Sequence, residues 1–151
     1  MLDAMMKFGA FHISYLNPVV DKNRKAFGFY LRAEISAGDG YSRGAKRQLY
    51  SGLMLIQHKL EMHNLVGIYL DVDSLDNLER PAYQQMKQDM LNGMFKRLFV
   101  LDEKAIMGSP TADIDLMKLF IKMGGFELLT CKNGECVPLE ISRLVCPVAV
   151  Y

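Results

Sequence analysis

The chain has 151 residues, half of them apolar, and a formal net charge of +1. That balance suits one compact domain with a full core and excludes the global basic field of a stand-alone nucleic-acid binder. No apolar run reaches the roughly 18 residues of a membrane span, and the amino-terminal MLDAMMKFGAFHISYL lacks the pattern of a secretion signal, so a cytoplasmic protein without membrane contact is expected.

Residues 1–25 read as an N-terminal extension, in which Phe8 to Leu16 fits a short strand and Asn17-Pro18 a turn; residues 26–151 form the domain proper. Ala26 to Ala33 is a nearly continuous run of β-formers, hence a buried strand, and it delivers Arg32, Glu34 and Ser36 to the glycine-rich run AGDGYSRG. From Lys46 to Met62, residues Leu49, Gly52, Leu53, Ile56 and Leu60 recur at the spacing of one helix face. Val66 to Val72 is a second buried strand, and Asp71, Asp73 and Asp76 at its end suggest a solvated acidic turn.

Arg80-Pro81 opens a second helix with Tyr83, Met86, Met90 and Leu91 on one face, and Asn92-Gly93 ends it. Phe95 to Leu101 is the third strand. Ser109-Pro110 starts a third helix whose expected buried stripe is Ile114, Met117, Phe120 and Ile121, with Gly124-Gly125 as its stop. Phe126 to Cys131 is the fourth strand, and Asn133-Gly134 turns the chain so that Val137 to Ile141 folds back on it. The alternation predicts a single α/β domain: a mostly parallel four-stranded sheet flanked by helices, with a C-terminal antiparallel hairpin.

Several candidate sites fail on spacing. Gly38, Gly40 and Gly44 lie between a strand and a helix, but about five residues intervene after Arg32, where a dinucleotide fingerprint would place its first glycine in the turn itself. His58 and His63 are five apart rather than at the i, i+4 spacing of a helical metal site, and the aspartates lack the glycine and distal glutamate of a calcium loop. Cys131, Cys136 and Cys146 form no CxxC pair and suggest reduced structural thiols. No cofactor or metal is expected, and the eleven methionines read as core filling.

Six features occur in order: Tyr30-Leu31-Arg32 ending the first strand, Gln48 early in the next helix, Ile68-Tyr69-Leu70-Asp71, Arg80-Pro81, Gly93, and a strand ending Leu101-Asp102. Over roughly Phe27 to Glu135 this combination resembles the catalytic domain of the serine recombinases, the resolvase/invertase family. The resemblance implies a resolvase-like fold that binds the DNA backbone. It also implies a serine, two residues after the first-strand arginine, that attacks a phosphate while arginines stabilise the developing charge.

Carried over position by position, Arg32 and Arg80 are retained phosphate-binding cations, but Glu34 stands where the nucleophilic serine belongs. A carboxylate there repels the phosphate and supplies no hydroxyl. The family's Asp-Arg-x-x-Arg run corresponds to Asp102-Glu103-Lys104-Ala105-Ile106, without either arginine, and Lys104 cannot form a planar bidentate clamp. Ser36 lies on the same side of an extended strand but about 7 Å further along, so it substitutes as nucleophile only if the loop rearranges.

Recombining members of the family follow the catalytic domain with a long helix and a DNA-binding domain; Leu139 to Val150, with Pro138 and Pro147, cannot form such a helix. The expectation is a recombinase-like protein without strand cleavage. It would act as a binding or regulatory module, on DNA weakly or through a partner, as a homodimer or paired with an active recombinase. The alternative is a divergent active recombinase using Ser36.

Overall fold

The apolar runs ending at Ala33, Val72, Val100 and Lys132 become four adjacent parallel strands, because strands covered on both faces need apolar residues on both. A computed structural model describes residues 11–17, 25–34 and 41–141. In chain order its elements are β1 (Phe11–Tyr15), β2 (Phe27–Ala33), α1 (Tyr41–Lys59), β3 (Leu65–Val72), α2 (Pro81–Leu91), β4 (Arg97–Val100), α3 (Pro110–Met123), β5 (Glu127–Lys132) and β6 (Glu135–Leu139). The fold is α/β.

The expected four-stranded sheet needs correction at its edges: six strands in the order β1-β3-β2-β4-β5-β6 make one mixed sheet. Strand β6 is the return arm of the expected hairpin, turned by Asn133 (φ 52°) and Gly134 (φ 76°), the left-handed pair that a two-residue turn demands. Strand β1, inside the Phe8 to Leu16 stretch expected to be a short strand, runs antiparallel to β3, with Phe11 opposite Asp71 and Tyr15 opposite Gly67.

Apolar periodicity could not have placed β1, since Phe11 and Tyr15 are both exposed and the strand's anchor is polar. The Tyr15 hydroxyl donates to Asp89 Oδ2 (2.6 Å), Tyr69 donates to the same oxygen (2.7 Å), and Gln85 Nε2 donates to Oδ1 (2.8 Å). One carboxylate on α2 thus ties two strands. Burial, then the hydrogen bond and charge of Asp89, push the Tyr15 phenol up to about 12.

A free tyrosine titrates near ~10. The folded value is raised, so this anchor's contribution is fully present below the unfolded pKa and is lost as pH rises through the folded one. Ultraviolet titration of wild type minus Tyr15→Phe is expected to isolate one phenol with a midpoint of about 12. A midpoint near ~10 would show that the Asp89 contact does not form in solution.

Two cores flank the sheet. Phe27, Phe29, Leu31, Leu70 and Phe99 meet Ala45 and Ile56 of α1 on one face; Tyr30, Tyr69 and Leu98 meet Tyr83, Met86 and Leu116 of α2 and α3 on the other. The expected stripe on α3 is corrected. Ala112, Leu116 and Leu119 are buried, Met117 and Phe120 are partly covered, and Ile114 and Ile121 are exposed (55% and 69%). This helix carries apolar residues around most of its circumference, so hydropathy alone could not choose the buried face. Its ends follow their signals: Ser109 Oγ accepts from Ala112 N–H, and Gly124 closes the helix in the left-handed region (φ 73°). On α2, Leu91 at the last turn is also exposed (39%).

Candidate functional site at the carboxyl ends of the central strands

With β1 set aside, the order β3-β2-β4-β5-β6 follows the 2-1-3-4-5 order of doubly wound sheets except that β6 runs antiparallel; in such sheets ligands bind outside the carboxyl ends of the parallel strands where the winding reverses. Here that switch point lies between β2 and β4. The alternation of a strand puts Tyr30 and Arg32 on the face covered by α2 and α3, and their register partners on β3 are Tyr69 and Asp71.

Arg32 spans the switch point. Its Nε donates to Ala105 O (3.3 Å) and its Nη2 to Lys104 O (2.9 Å), both in the single 3-10 turn Glu103–Ala105 after β4. Nη1 donates to Asp73 O (3.0 Å) beyond β3 and to Glu34 Oε2 (2.9 Å). The Arg32 side chain is only 8% exposed. Gln48 of α1 donates to Arg32 O (3.1 Å), fixing the strand end from the opposite face.

Arg80 is wholly buried. Its Nε donates to the Tyr30 hydroxyl (2.9 Å), and Nη1 donates to the carbonyls of Ser74 (3.3 Å), Leu75 and Asn77 (3.0 Å). The guanidinium carbon lies 4.2 Å from the centroid of the Tyr83 ring, a cation–π contact, while Nη2 is buried without a hydrogen-bond partner. The two arginines therefore meet at one loop, residues 73–77, and bind its carbonyls.

Of the aspartates expected in a solvated turn at the end of β3, Asp76 is exposed, but Asp71 and Asp73 are corrected to buried positions, 0% and 5% exposed. Asp71 accepts from the N–H groups of Ala82 (2.9 Å) and Tyr83 (2.8 Å) in the first turn of α2, and from the Tyr30 hydroxyl (2.8 Å). Burial raises its pKa above the usual carboxylate value, although these donors and Arg80, 4.0 Å away, pull in the other direction. A helix N-terminus is a ready anion site, and here the chain's own carboxylate occupies it. Asp73 accepts from Ser74 N–H (2.7 Å) and Asn77 Nδ2 (2.9 Å), which folds the loop back over both carboxylates.

The positions after the third strand divide, with Asp102 and Lys104 exposed and Glu103 half-buried. Asp102 accepts from Lys104 N–H (3.0 Å), and Ile106 is fully buried in the core beneath α2 and α3. Ser36, with Gly38 and Gly40, lies outside the described residues. His12, His58 and His63 are exposed, and no cluster of metal-ligating side chains occurs among the described residues.

Sequence reasoning singled out Arg32, Arg80 and Asp71 separately but missed the Tyr30–Asp71–Arg80 network. The signal was available: Tyr30 lies two residues before Arg32 on the same strand face, one strand from Asp71, and Arg80 immediately precedes the helix start that Asp71 caps. A groove of about 290 Å³ lined by Lys87, Asp115, Lys118 and Lys122 lies between α2 and α3, away from the strand ends.

Fold and site together define an α/β domain of doubly wound order whose switch-point crevice is bridged by its own arginine. No protein-family model, curated protein or solved structure matches the chain. Among the described residues no helix is long and apolar enough to cross a membrane.

Proposed function

We propose that the chain is a serine-recombinase-like, resolvase-type module associated with DNA recombination that does not cleave strands and acts by association, with another copy of itself or with an active recombinase. The observation that carries this reading is the ion pair between Arg32 and Glu34 (2.9 Å). At the two positions where the resemblance puts a phosphate-binding cation and a nucleophilic serine, a carboxylate binds the guanidinium. Further support comes from Arg80, with no solvent-facing surface, and from Ile106, a core residue where the family carries an arginine. Phosphoryl transfer draws most of its rate from positioned cations, and the two retained arginines, Arg32 and Arg80, are engaged by carbonyls, a carboxylate and a phenol of the chain.

The test uses suicide DNA substrates bearing a nicked crossover point, analysed by denaturing electrophoresis. Neither the wild type nor Glu34→Ser is expected to give a covalent adduct. The substitution frees one of Arg32's four contacts, leaves three backbone acceptors in place, and changes neither Glu103 nor Ile106. A phosphoserine-linked product from either protein would overturn the non-cleaving assignment. Light scattering of the protein alone, and with a purified serine recombinase catalytic domain, tests association; monomers in both samples would overturn that part.

A further inference from the structure

The turn at Asn133-Gly134 fixes more than the path of the chain. It sets Lys132 opposite Glu135 and, one step further from the turn, Cys131 opposite Cys136. In a two-residue hairpin the pair flanking the turn exchanges the ladder hydrogen bonds, so the next pair is a non-hydrogen-bonded one, with its Cα atoms ~4.5 Å apart and its side chains on one face. That spacing falls inside the ~4.4–6.8 Å that a disulfide bridges.

A second observation comes from the thiols themselves. Burial first, then the charge of Cys131 and that of Glu135, raise the Cys136 thiol above its ordinary pKa, so the two sulfur groups lie within interaction range. Both cysteines are free and half-buried on the α1 face, where Cys136 packs against the core cluster that includes Phe29 and Ile56. Neither is sealed from a small reagent. Close by, Glu135 Oε2 pairs with Lys59 Nζ at the end of α1 (2.9 Å).

We propose that Cys131 and Cys136 form a reversible cross-strand disulfide, a thiol–disulfide exchange site whose substrate class is a low-molecular-weight disulfide such as oxidised glutathione. The Cys131 thiolate attacks one glutathione sulfur, forming a mixed disulfide and releasing one glutathione thiolate. Cys136, deprotonated, then attacks Cys131 Sγ, closing the protein disulfide and releasing the second glutathione. Two protein thiols are oxidised, one glutathione disulfide is reduced to two thiols, and the protons pass to the products through solvent. The closed loop spans only residues 131–136, and the hairpin pre-pays most of its closure.

The experiment equilibrates the full-length protein and a Cys146→Ser variant, Cys146 lying outside the described residues, in glutathione redox buffers. Digestion with trypsin without reductant follows. Trypsin cuts after Lys132, between the two thiols. At oxidising poise both proteins are expected to yield residues 123–132 joined to residues 133–143, short of two hydrogens and carrying no glutathione. The oxidised Cys146→Ser protein is expected to melt about 2–6 °C above its reduced form. A Cys136→Ser variant should stop at glutathione on Cys131. The proposal is overturned if both thiols stay free at oxidising poise, if glutathione remains on both cysteines, or if wild type links Cys146 in preference to the 131–136 pair.

Discussion

Arg80→Ala is expected to lower the stability of the protein by roughly 3–5 kcal/mol in the absence of any DNA. Three losses add in one direction. The carbonyls of Ser74, Leu75 and Asn77 lose their donor, the Tyr30 hydroxyl loses the Nε–H it accepts, and the Tyr83 ring loses the guanidinium above it. A buried cavity replaces a side chain with no solvent exposure. Asp71 keeps three donors of its own, so the uncompensated charge is a smaller part of the cost than the abandoned loop.

Arg80→Lys separates these terms. An ammonium retains the charge beside Asp71 but cannot fan out to three carbonyls and a phenol from one plane, so it should recover less than half of the lost stability. Urea unfolding gives the answer directly. A loss below ~1 kcal/mol for Arg80→Ala would mean that the guanidinium is not committed to the loop and is available to an external phosphate, which would remove a principal support for the non-cleaving reading.

Much of the framework was legible because its signals are local. Pro81 and Pro110 marked helix starts, Gly124 a helix stop and Asn133-Gly134 a hairpin, each fixed by the backbone geometry those residues permit. The β1 edge and the buried faces were less legible. Strand β1 is held by Tyr15 and Asp89, 74 positions apart, a polar contact no window of periodicity contains. The stripe on α3 was misplaced because Ile114 and Ile121 look apolar whichever way the helix turns.

The site divides along the same line. That Glu34 carries no hydroxyl was readable from residue type alone. That Arg32 and Arg80 are occupied was not, since their acceptors are mostly main-chain carbonyls, which carry no sequence signature. Asp71 shows the gap most clearly: as the last of an apolar run followed by more aspartates it suggests solvent, yet it caps α2 from inside the core.

Gly52→Ala is expected to destabilise the protein by about 1–2 kcal/mol, although in an isolated helix the same change gains roughly 1 kcal/mol from propensity. A Cβ at this position of α1 would lie 2.1 Å from Phe29 Cζ and 2.6 Å from Cε2, far inside van der Waals contact. The Phe29 ring is fully buried and has Phe99 of β4 behind it, ring centroids 5.2 Å apart, so it cannot simply step aside. Either α1 lifts from the sheet or the aromatic pair repacks. Shortening the ring should relieve the clash: Gly52→Ala with Phe29→Leu is expected to be at least ~1 kcal/mol more stable than the sum of the single changes. If α1 lifts, Gln48 loses the carbonyl of Arg32, and amide exchange at the end of β2 should quicken in the single glycine variant but not in Phe29→Leu. Stability equal to or above wild type for Gly52→Ala alone would show that α1 does not lie this close to β2, and with it the position of Gln48 behind Arg32 would be wrong.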